Sequence, residues 1–111
     1  MGVTKTDLFT QEQNELASLA KALAHPARIA IIQHLIKTNA CINSNLVQEL
    51  GLAQATISQH LRELKDAQII TGSIDGVSVC YCINPAKWKE ITALFNALFQ
   101  DFINSQNNNC C

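Results

Sequence analysis

The chain has 111 residues, 48% of them apolar, and its 8 basic and 9 acidic residues leave a formal net charge of −1. This length allows one compact domain, and the charge balance excludes a histone-like polycation, so nucleic-acid binding would depend on local placement of polar and charged groups. No apolar run reaches the roughly 20 residues of a membrane span. The five cysteines are odd in number and follow no signal-like start, so we expect a cytoplasmic protein, not a membrane protein, with free thiols.

The first part of the sequence predicts two helices. Thr10 and Gln13 have the spacing of a capping box, and the apolar residues that follow repeat at helical spacing as far as Leu23. Pro26 suits the first turn of a second helix, which we expect to run to about Lys37. Four aliphatic residues of this helix are predicted to face the core: Ile29, Ile32, Leu35 and Ile36.

A helix, a tight turn and a second helix are predicted next. Asn43 or Ser44 caps a short third helix that Gly51 ends, and a fourth helix runs from about Gln54 to Ala67. The fourth helix is predicted to bury Ile57, Leu61 and Leu64. Its outward face is rich in hydrogen-bonding side chains and poor in carboxylates, and we expect it to contact DNA through Gln54, Thr56, Ser58, Gln59, His60 and Arg62.

The apolar period then changes from 3.6 to 2, which is typical of β-strands. Ile70 to Ile74 and Val77 to Ile83 flank Asp75-Gly76, the pair that favours a two-residue hairpin turn. Asn84-Pro85 starts a last helix, and its long apolar stripe indicates a protein partner. The stripe contains Trp88, Ile91, Leu94, Phe95, Leu98, Phe99 and Phe102.

These elements together predict a mainly α fold with five helices and a small β-hairpin wing, which is a winged helix-turn-helix. Residues 10–103 form this domain, residues 1–9 are expected to be a flexible N-terminus, and residues 104–111 a flexible Asn-rich tail that ends in two cysteines. In such folds the second helix of the pair enters the major groove of double-stranded DNA. A purely structural helical core is the alternative, because helix pairs joined by a glycine turn are common.

Three segments of the sequence resemble the ArsR/SmtB family of metal- and metalloid-responsive repressors. They are Ala22-Leu-Ala-His-Pro-Ala-Arg28, Leu50-Gly-Leu-Ala-Gln-Ala-Thr-Ile-Ser-Gln-His-Leu-Arg-Glu-Leu-Lys-Asp-Ala67, and the wing with Asp75-Gly76 and Tyr81. The resemblance implies a homodimer, packed through the first and last helices, that binds an operator and leaves it when an inducer binds. It implies no enzymatic activity and no required cofactor.

The sequence departs from the family pattern in two places that affect DNA binding. Ala53 stands where these proteins usually have a serine that caps the recognition helix. The wing between Ile70 and Ile83 contains no lysine or arginine, although many relatives have basic residues there. Phosphate contacts then depend on residues such as Arg62 and Lys65, and we expect a shallow salt dependence of binding.

Two cysteines of the wing are the first candidates for inducer binding. Cys80 and Cys82 alternate with residues predicted to face the core, so both project from the outer face of one strand. The segment around Cys41 can pair with this strand in winged helices, which would bring a third thiol to the same place. Two or three thiolates suit As(III), Sb(III) or another soft metal ion. The plain alternative for Cys41 is a small buried residue.

Cys110 and Cys111 are the second candidates, because a vicinal dithiol on a flexible tail can reach its own or the partner subunit. Their plain alternative is an unstructured end without a role. A zinc-type site on the last helix is not supported, since His25, His34 and His60 all precede that helix.

Other uses of the thiols stay open at the level of sequence. The same cysteines can form disulfide or polysulfide bridges in a redox or reactive-sulfur sensor of the same fold. A thiol enzyme or metallochaperone is disfavoured, because the chain has neither a Cys-x-x-Cys motif at a helix start nor a cysteine beside an activating histidine.

Overall fold

The structure is a computed structural model that describes residues 5–38, 46–75 and 78–106, with backbone alone at 5, 6, 47, 73–75 and 78–80. It confirms the predicted winged helix-turn-helix. A 3₁₀ turn at Lys5–Leu8 precedes the first helix. The described helices and strands are α1 (Gln11–Leu23), α2 (Pro26–Thr38), α3 (Leu46–Leu50), α4 (Gln54–Asp66), β1 (Ile70–Asp75), β2 (Ser78–Ile83) and α5 (Pro85–Ser105).

Side-chain caps fix where α1 and α2 begin. Thr10 Oγ1 accepts a hydrogen bond from the Gln13 amide at 3.1 Å, and the Thr10 amide donates to Gln13 Oε1 at 3.0 Å, which confirms the capping box. At the second helix, His25 Nδ1 accepts from the Ala27 amide at 3.0 Å, directly before the helix that Pro26 opens. Both caps satisfy amides that a helix leaves unpaired in its first turn.

The turn between α3 and α4 depends on Gly51. Its φ of +68° lies in the left-handed region, which side chains rarely adopt, so glycine ends α3 as predicted. Ala53 precedes α4 in an extended conformation and supplies no side-chain cap. The predicted caps of α3, Asn43 and Ser44, lie outside the described residues.

The two strands form an antiparallel hairpin whose turn differs from the prediction. Asp75 pairs with Ser78, so Asp75 is the last residue of β1 rather than the first residue of the turn. Gly76, the other residue of the predicted turn, and Val77, the predicted first residue of the second strand, lie outside the described part of the chain. Strand pairing therefore extends one residue further on the β1 side than the Asp-Gly signal indicated.

One asparagine joins the end of α4 to the start of α5. Asn84 Nδ2 donates to the Gln68 carbonyl oxygen at 3.1 Å, and the Asn84 amide donates to the Ile69 carbonyl oxygen at 2.9 Å. Its Oδ1 accepts from the Lys87 amide at 3.4 Å, which caps α5. The end of α4 and the start of α5 therefore lie at the same corner of the molecule, with the hairpin between them in the chain.

The core lies where α2 and α4 meet the base of the hairpin. The fully buried aliphatic side chains are Ile31, Ile57, Leu64, Ile69 and Ile70. The prediction that Ile29 and Ile36 face this core was wrong, because they are 41% and 55% exposed. At about 100° per residue they lie roughly 40–60° beyond the helix face that carries Ile31, Ile32 and Leu35.

The apolar stripe of α5 is buried only in its first half. Ile91 is buried and Trp88, Leu94 and Phe95 are half-buried against the core. Four apolar residues toward the end of the helix are half to two-thirds exposed: Leu98, Phe99, Phe102 and Ile103. The helix continues through Ser105, two residues past the predicted domain limit. No helix among the described residues is long and apolar enough to cross a membrane.

Candidate DNA-binding surface

The outward face of α4 carries most of the side chains that the sequence predicted to contact DNA. Gln54, Thr56, Gln59 and Arg62 are exposed, and Ser58 is half-buried. Lys65 and Asp66 extend this face by one more turn. With the exception of Asp66, the exposed polar groups of this helix are neutral or positive, which suits the edges of bases and the phosphates of a major groove.

Two glutamines on this face already have partners along the helix. Gln54 Nε2 donates to Ser58 Oγ at 3.2 Å, and Gln59 Nε2 donates to Glu63 Oε1 at 3.2 Å. Both contacts join residues four positions apart and are exposed to solvent. A glutamine that reads an adenine must exchange this contact for two bonds to the base.

A cleft separates the same helix from the wing. Its volume is about 380 Å³, and it is lined on the α4 side by Gln54, Ser58, Leu61, Arg62, Lys65 and Asp66, and on the wing side by Tyr81. Tyr81 is buried, as the alternation of β2 predicted. Tyr81 belongs to the same buried cluster as Leu61 and Leu64, so the wing and α4 share one core.

The prediction that His60 belongs to the DNA-contacting face was wrong. Its side chain is 7% exposed, and it is the one buried polar residue among those that the structure describes. His60 follows Ile57 by three positions and precedes Leu64 by four, so helical spacing places it on the buried face. The sequence contains this spacing, but a histidine side chain is polar, so sequence reasoning assigns His60 to the polar face of the helix.

Arg28 and His25 surround the buried imidazole. Arg28 Nε donates to His60 Nδ1 at 3.1 Å, and the rings of His25 and His60 are 4.3 Å apart between centroids. Burial is the largest cause that lowers the pKa of His60, the charges of His25 and Arg28 lower it further, and Glu63 opposes them. Sequence reasoning missed this contact, because it joins residues 32 positions apart.

The wing cysteine that the structure describes is accessible. Cys82 is a free, exposed thiol, and its Sγ lies 3.5 Å from Thr71 Oγ1, its neighbour across the strand pair. Cys80 lies two residues earlier in β2, with only its backbone described. Cys41, Cys110 and Cys111 lie outside the described residues. Among the side chains that the structure describes, which do not include that of Cys80, no three His, Cys, Asp or Glu side chains are grouped so that they could hold a metal ion.

Comparison with known proteins agrees with this arrangement. The family model of bacterial regulatory proteins of the arsR family matches residues 25–71, which contain α2, α3 and α4. The transcriptional repressor PagR of Bacillus anthracis is 34% identical over 82 residues, which are 74% of this chain and 82% of that protein. The biofilm growth-associated repressor of Xylella fastidiosa is 30% identical over 100 residues, 90% of this chain and 83% of that one.

A solved structure described as a possible transcriptional regulator for arsenical resistance is also similar. It is 27% identical with a TM-score of 0.64, and the match covers 80% of this chain and 95% of the other. The match to PagR meets the length and identity expected within one family. The chain therefore belongs to the ArsR family, and it is a DNA-binding transcriptional repressor rather than an enzyme.

Proposed function

We propose that this repressor leaves its operator when cysteine thiolates bind a thiophilic inducer, with arsenite or antimonite as the first choice of inducer and Cys82 among the first choice of ligands. The exposed thiol of Cys82 on the outer side of the wing is the observation that carries the proposal. An arsenic or antimony centre needs accessible sulfur ligands, and this thiol faces solvent rather than the core. No cofactor is required for DNA binding itself.

The chemistry needs at least one further thiol beside Cys82. Cys80 is the nearest along the strand, and the alternation of a strand predicts that the two share a face. Three cysteine thiols replace the three hydroxyl groups of arsenous acid, and each hydroxyl leaves as water with the proton of one thiol, so arsenic stays As(III) and the cysteines are not oxidised. Cys41 is the third ligand in the first version of the proposal, and Cys110 with Cys111 form the site in the second.

The position of Cys82 offers a route from the inducer to the DNA. Asn84 follows Cys82 by two residues and hydrogen-bonds to the carbonyl oxygens of Gln68 and Ile69, directly after α4. If Cys41 is drawn toward the wing, the start of α3 is tied to this corner. The spacing of two recognition helices then departs from the roughly 34–36 Å of one DNA turn.

We also propose that the repressor is a cytoplasmic homodimer, packed through the first and last helices. The exposed apolar end of α5 supports this, because Phe99 and Phe102 are 57% and 67% exposed in the single chain. Leu8 and Phe9, just before α1, are 68% and 55% exposed. A second copy would remove these side chains from water, and most bacterial operators are matched by a two-fold symmetric protein.

A fluorescence-anisotropy titration tests the inducer. A labelled fragment from upstream of the repressor's own gene is titrated with reduced protein, with and without sodium arsenite. We expect about a hundredfold loss of affinity, which corresponds to about 2.7 kcal/mol of differential binding. Unchanged affinity with arsenite would contradict the proposal.

Paired variants locate the site. Cys80→Ser/Cys82→Ser is expected to bind DNA normally and to ignore arsenite, and Cys110→Ser/Cys111→Ser is its matched control. If the control loses the response instead, the tail is the site. Mass spectrometry separates metalloid capture from oxidation, because arsenite binding retains arsenic, whereas a disulfide shows only the loss of two hydrogens and a persulfide gains sulfur.

A further inference from the structure

His60 stands apart from every other polar side chain of α4 because it points into the protein. The other polar residues of the helix are exposed or half-buried, whereas His60 is 7% exposed. Burying an imidazole costs free energy unless its nitrogens are paired. The structure provides a partner, and this partner belongs to a different helix.

Arg28 connects three elements of the fold through its guanidinium group. Its Nε donates to His60 Nδ1 at 3.1 Å, in the middle of α4. Its Nη1 donates to the Ala22 carbonyl oxygen at 3.1 Å and reaches the Lys21 carbonyl oxygen at 3.5 Å, both in the last turn of α1. Arg28 itself lies in the first turn of α2, so one side chain fixes α4 to the junction of α1 and α2.

His25 completes the contact from the loop between α1 and α2. Its Nδ1 accepts from the Ala27 amide, and its ring packs against that of His60 with 4.3 Å between centroids. The imidazole of His60 is thus held by a hydrogen bond on one side and a ring contact on another. Both contacts act on the helix whose opposite face meets DNA.

We propose that His60 is a positioning residue for operator binding: its neutral Nδ1 accepts the Arg28 hydrogen bond and thereby holds α4 at the angle at which its polar face enters the major groove. The residue acts through the helix and does not touch DNA. When the acceptor is removed or protonated, the helix loses this anchor and the operator is bound less tightly.

Protonation converts the acceptor into a donor. An N–H at Nδ1 of His60 would face the N–H of the Arg28 guanidinium, and the two positive charges would repel. The described groups that act on His60 are His25 and Arg28, which disfavour its charge, and Glu63, which favours it. Lys21 and Asp66, of opposite sign, line the adjoining cleft.

The direction of the pH dependence follows from these groups. The pKa of His60 is lowered from its ordinary value of 6.5, so the folded protein binds this proton less readily than the unfolded chain does. The contribution of neutral His60 to the free energy of unfolding is complete above pH 6.5, and it is lost as the pH falls through the lowered pKa of His60. The anchor of α4 weakens over the same acidic range.

The test compares two substitutions of His60 with one of a distant histidine. His60→Asn keeps an acceptor near the position of Nδ1 but does not titrate, His60→Leu removes the acceptor, and His34→Asn on α2 is the control. Anisotropy titrations with the labelled upstream fragment are run from pH 8 down to the lowest pH at which the native protein stays folded. At pH 7.5 we expect His60→Leu to bind on the order of tenfold more weakly and His60→Asn to stay within about threefold of the native protein.

The pH profile separates positioning from mere packing. We expect the affinity of the native protein relative to His60→Asn to fall as the pH drops below 6.5, most steeply near the lowered pKa of His60, and the His34→Asn profile to follow the native one. Equal losses of affinity for His60→Leu and His60→Asn at pH 7.5 would overturn the proposal. The ¹⁵N shifts of the native protein at pH 7.5 give an independent reading that needs no variant: an unprotonated Nδ1 supports the proposal, and a protonated Nδ1 overturns it.

Discussion

The exposed faces of α4 and α5 differ in kind. On α4 the exposed side chains include Gln54, Thr56, Gln59 and Arg62, all able to form hydrogen bonds. On the second half of α5 they include Leu98, Phe99, Phe102 and Ile103, which are 50–67% exposed and form no hydrogen bonds. Both helices bury their other face against the same core.

This difference indicates two kinds of partner. A polar face with neutral and positive groups matches the hydrated, charged surface of DNA, where bases are read by hydrogen bonds. An apolar face is stabilised only when it leaves water, as it would against a similar face of a second copy in the proposed homodimer. The near-neutral chain, with net charge −1, therefore binds DNA through placement rather than through overall charge.

The largest expected effect comes from placing a charge on the apolar face. Phe99 is 57% exposed and its ring lies 6.1 Å from that of Phe95, so Phe99→Glu should leave the single chain folded. A carboxylate buried between two copies without a partner is costly, so we expect the dimer dissociation constant to rise about a hundredfold or more. Analytical ultracentrifugation measures this. Gln100→Glu, at the exposed neighbouring position, is the control, and equal effects of the two would disprove the apolar interface.

Loss of the guanidinium of Arg62 has the next largest effect. Arg62 is exposed on the DNA-contacting face, so Arg62→Ala should lower operator affinity about 10- to 100-fold with little change in the free energy of unfolding. Anisotropy titrations and thermal unfolding measure the two quantities. Lys89→Ala removes an exposed positive charge from α5 and should bind as the native protein does. Equal losses for both variants would mean that only net charge matters.

A smaller effect is expected at Lys65. This lysine lines the cleft between α4 and the wing and suits a phosphate rather than a base. Lys65→Ala should weaken binding to all DNA sequences alike and reduce the slope of log affinity against log salt by about 1 for each lost phosphate contact. Affinities at four salt concentrations give the slope, and an unchanged slope would place Lys65 away from the DNA backbone.

The smallest effect concerns the start of α4. Ala53 supplies no side-chain cap, so Ala53→Ser should raise the free energy of unfolding by about 1 kcal/mol, as serine caps typically do. Ala55 is the second residue of the same helix, where a serine side chain lacks the capping geometry, so Ala55→Ser should not raise the free energy of unfolding. Urea unfolding of both variants gives the comparison. If Ala55→Ser stabilises as much as Ala53→Ser, the gain does not come from capping.

Local signals explain how much of the fold could be predicted. The Thr10 capping box, Pro26 and Gly51 each act within a few residues, and the structure confirms the helix boundaries that they indicated. The hairpin was predicted from its alternating residues, but Asp75 joined β1 because strand pairing outweighed the local preference of Asp-Gly for a turn.

Contacts between distant residues explain what was missed. The bond from Arg28 to His60 depends on how α2 crosses α4, which no local pattern encodes. Ile29 and Ile36 are exposed although the sequence predicts them in the core, because hydrophobicity alone does not say whether an apolar residue faces the core or solvent. The inducer site stays a prediction for the same reason, since its cysteines are separated along the chain.

The central claim is that the polar face of α4 reads the operator, and single base-pair substitutions test it most directly. A set of operator duplexes, each with one base pair changed, is titrated with the native protein and with Gln59→Ala. We expect the native protein to lose about 1–3 kcal/mol at each base pair that it reads, and the variant to lose discrimination at one position in each half-site while keeping the others. If Gln59→Ala and the corresponding Gln54 and Arg62 variants all retain the native pattern of discrimination, α4 does not read the operator.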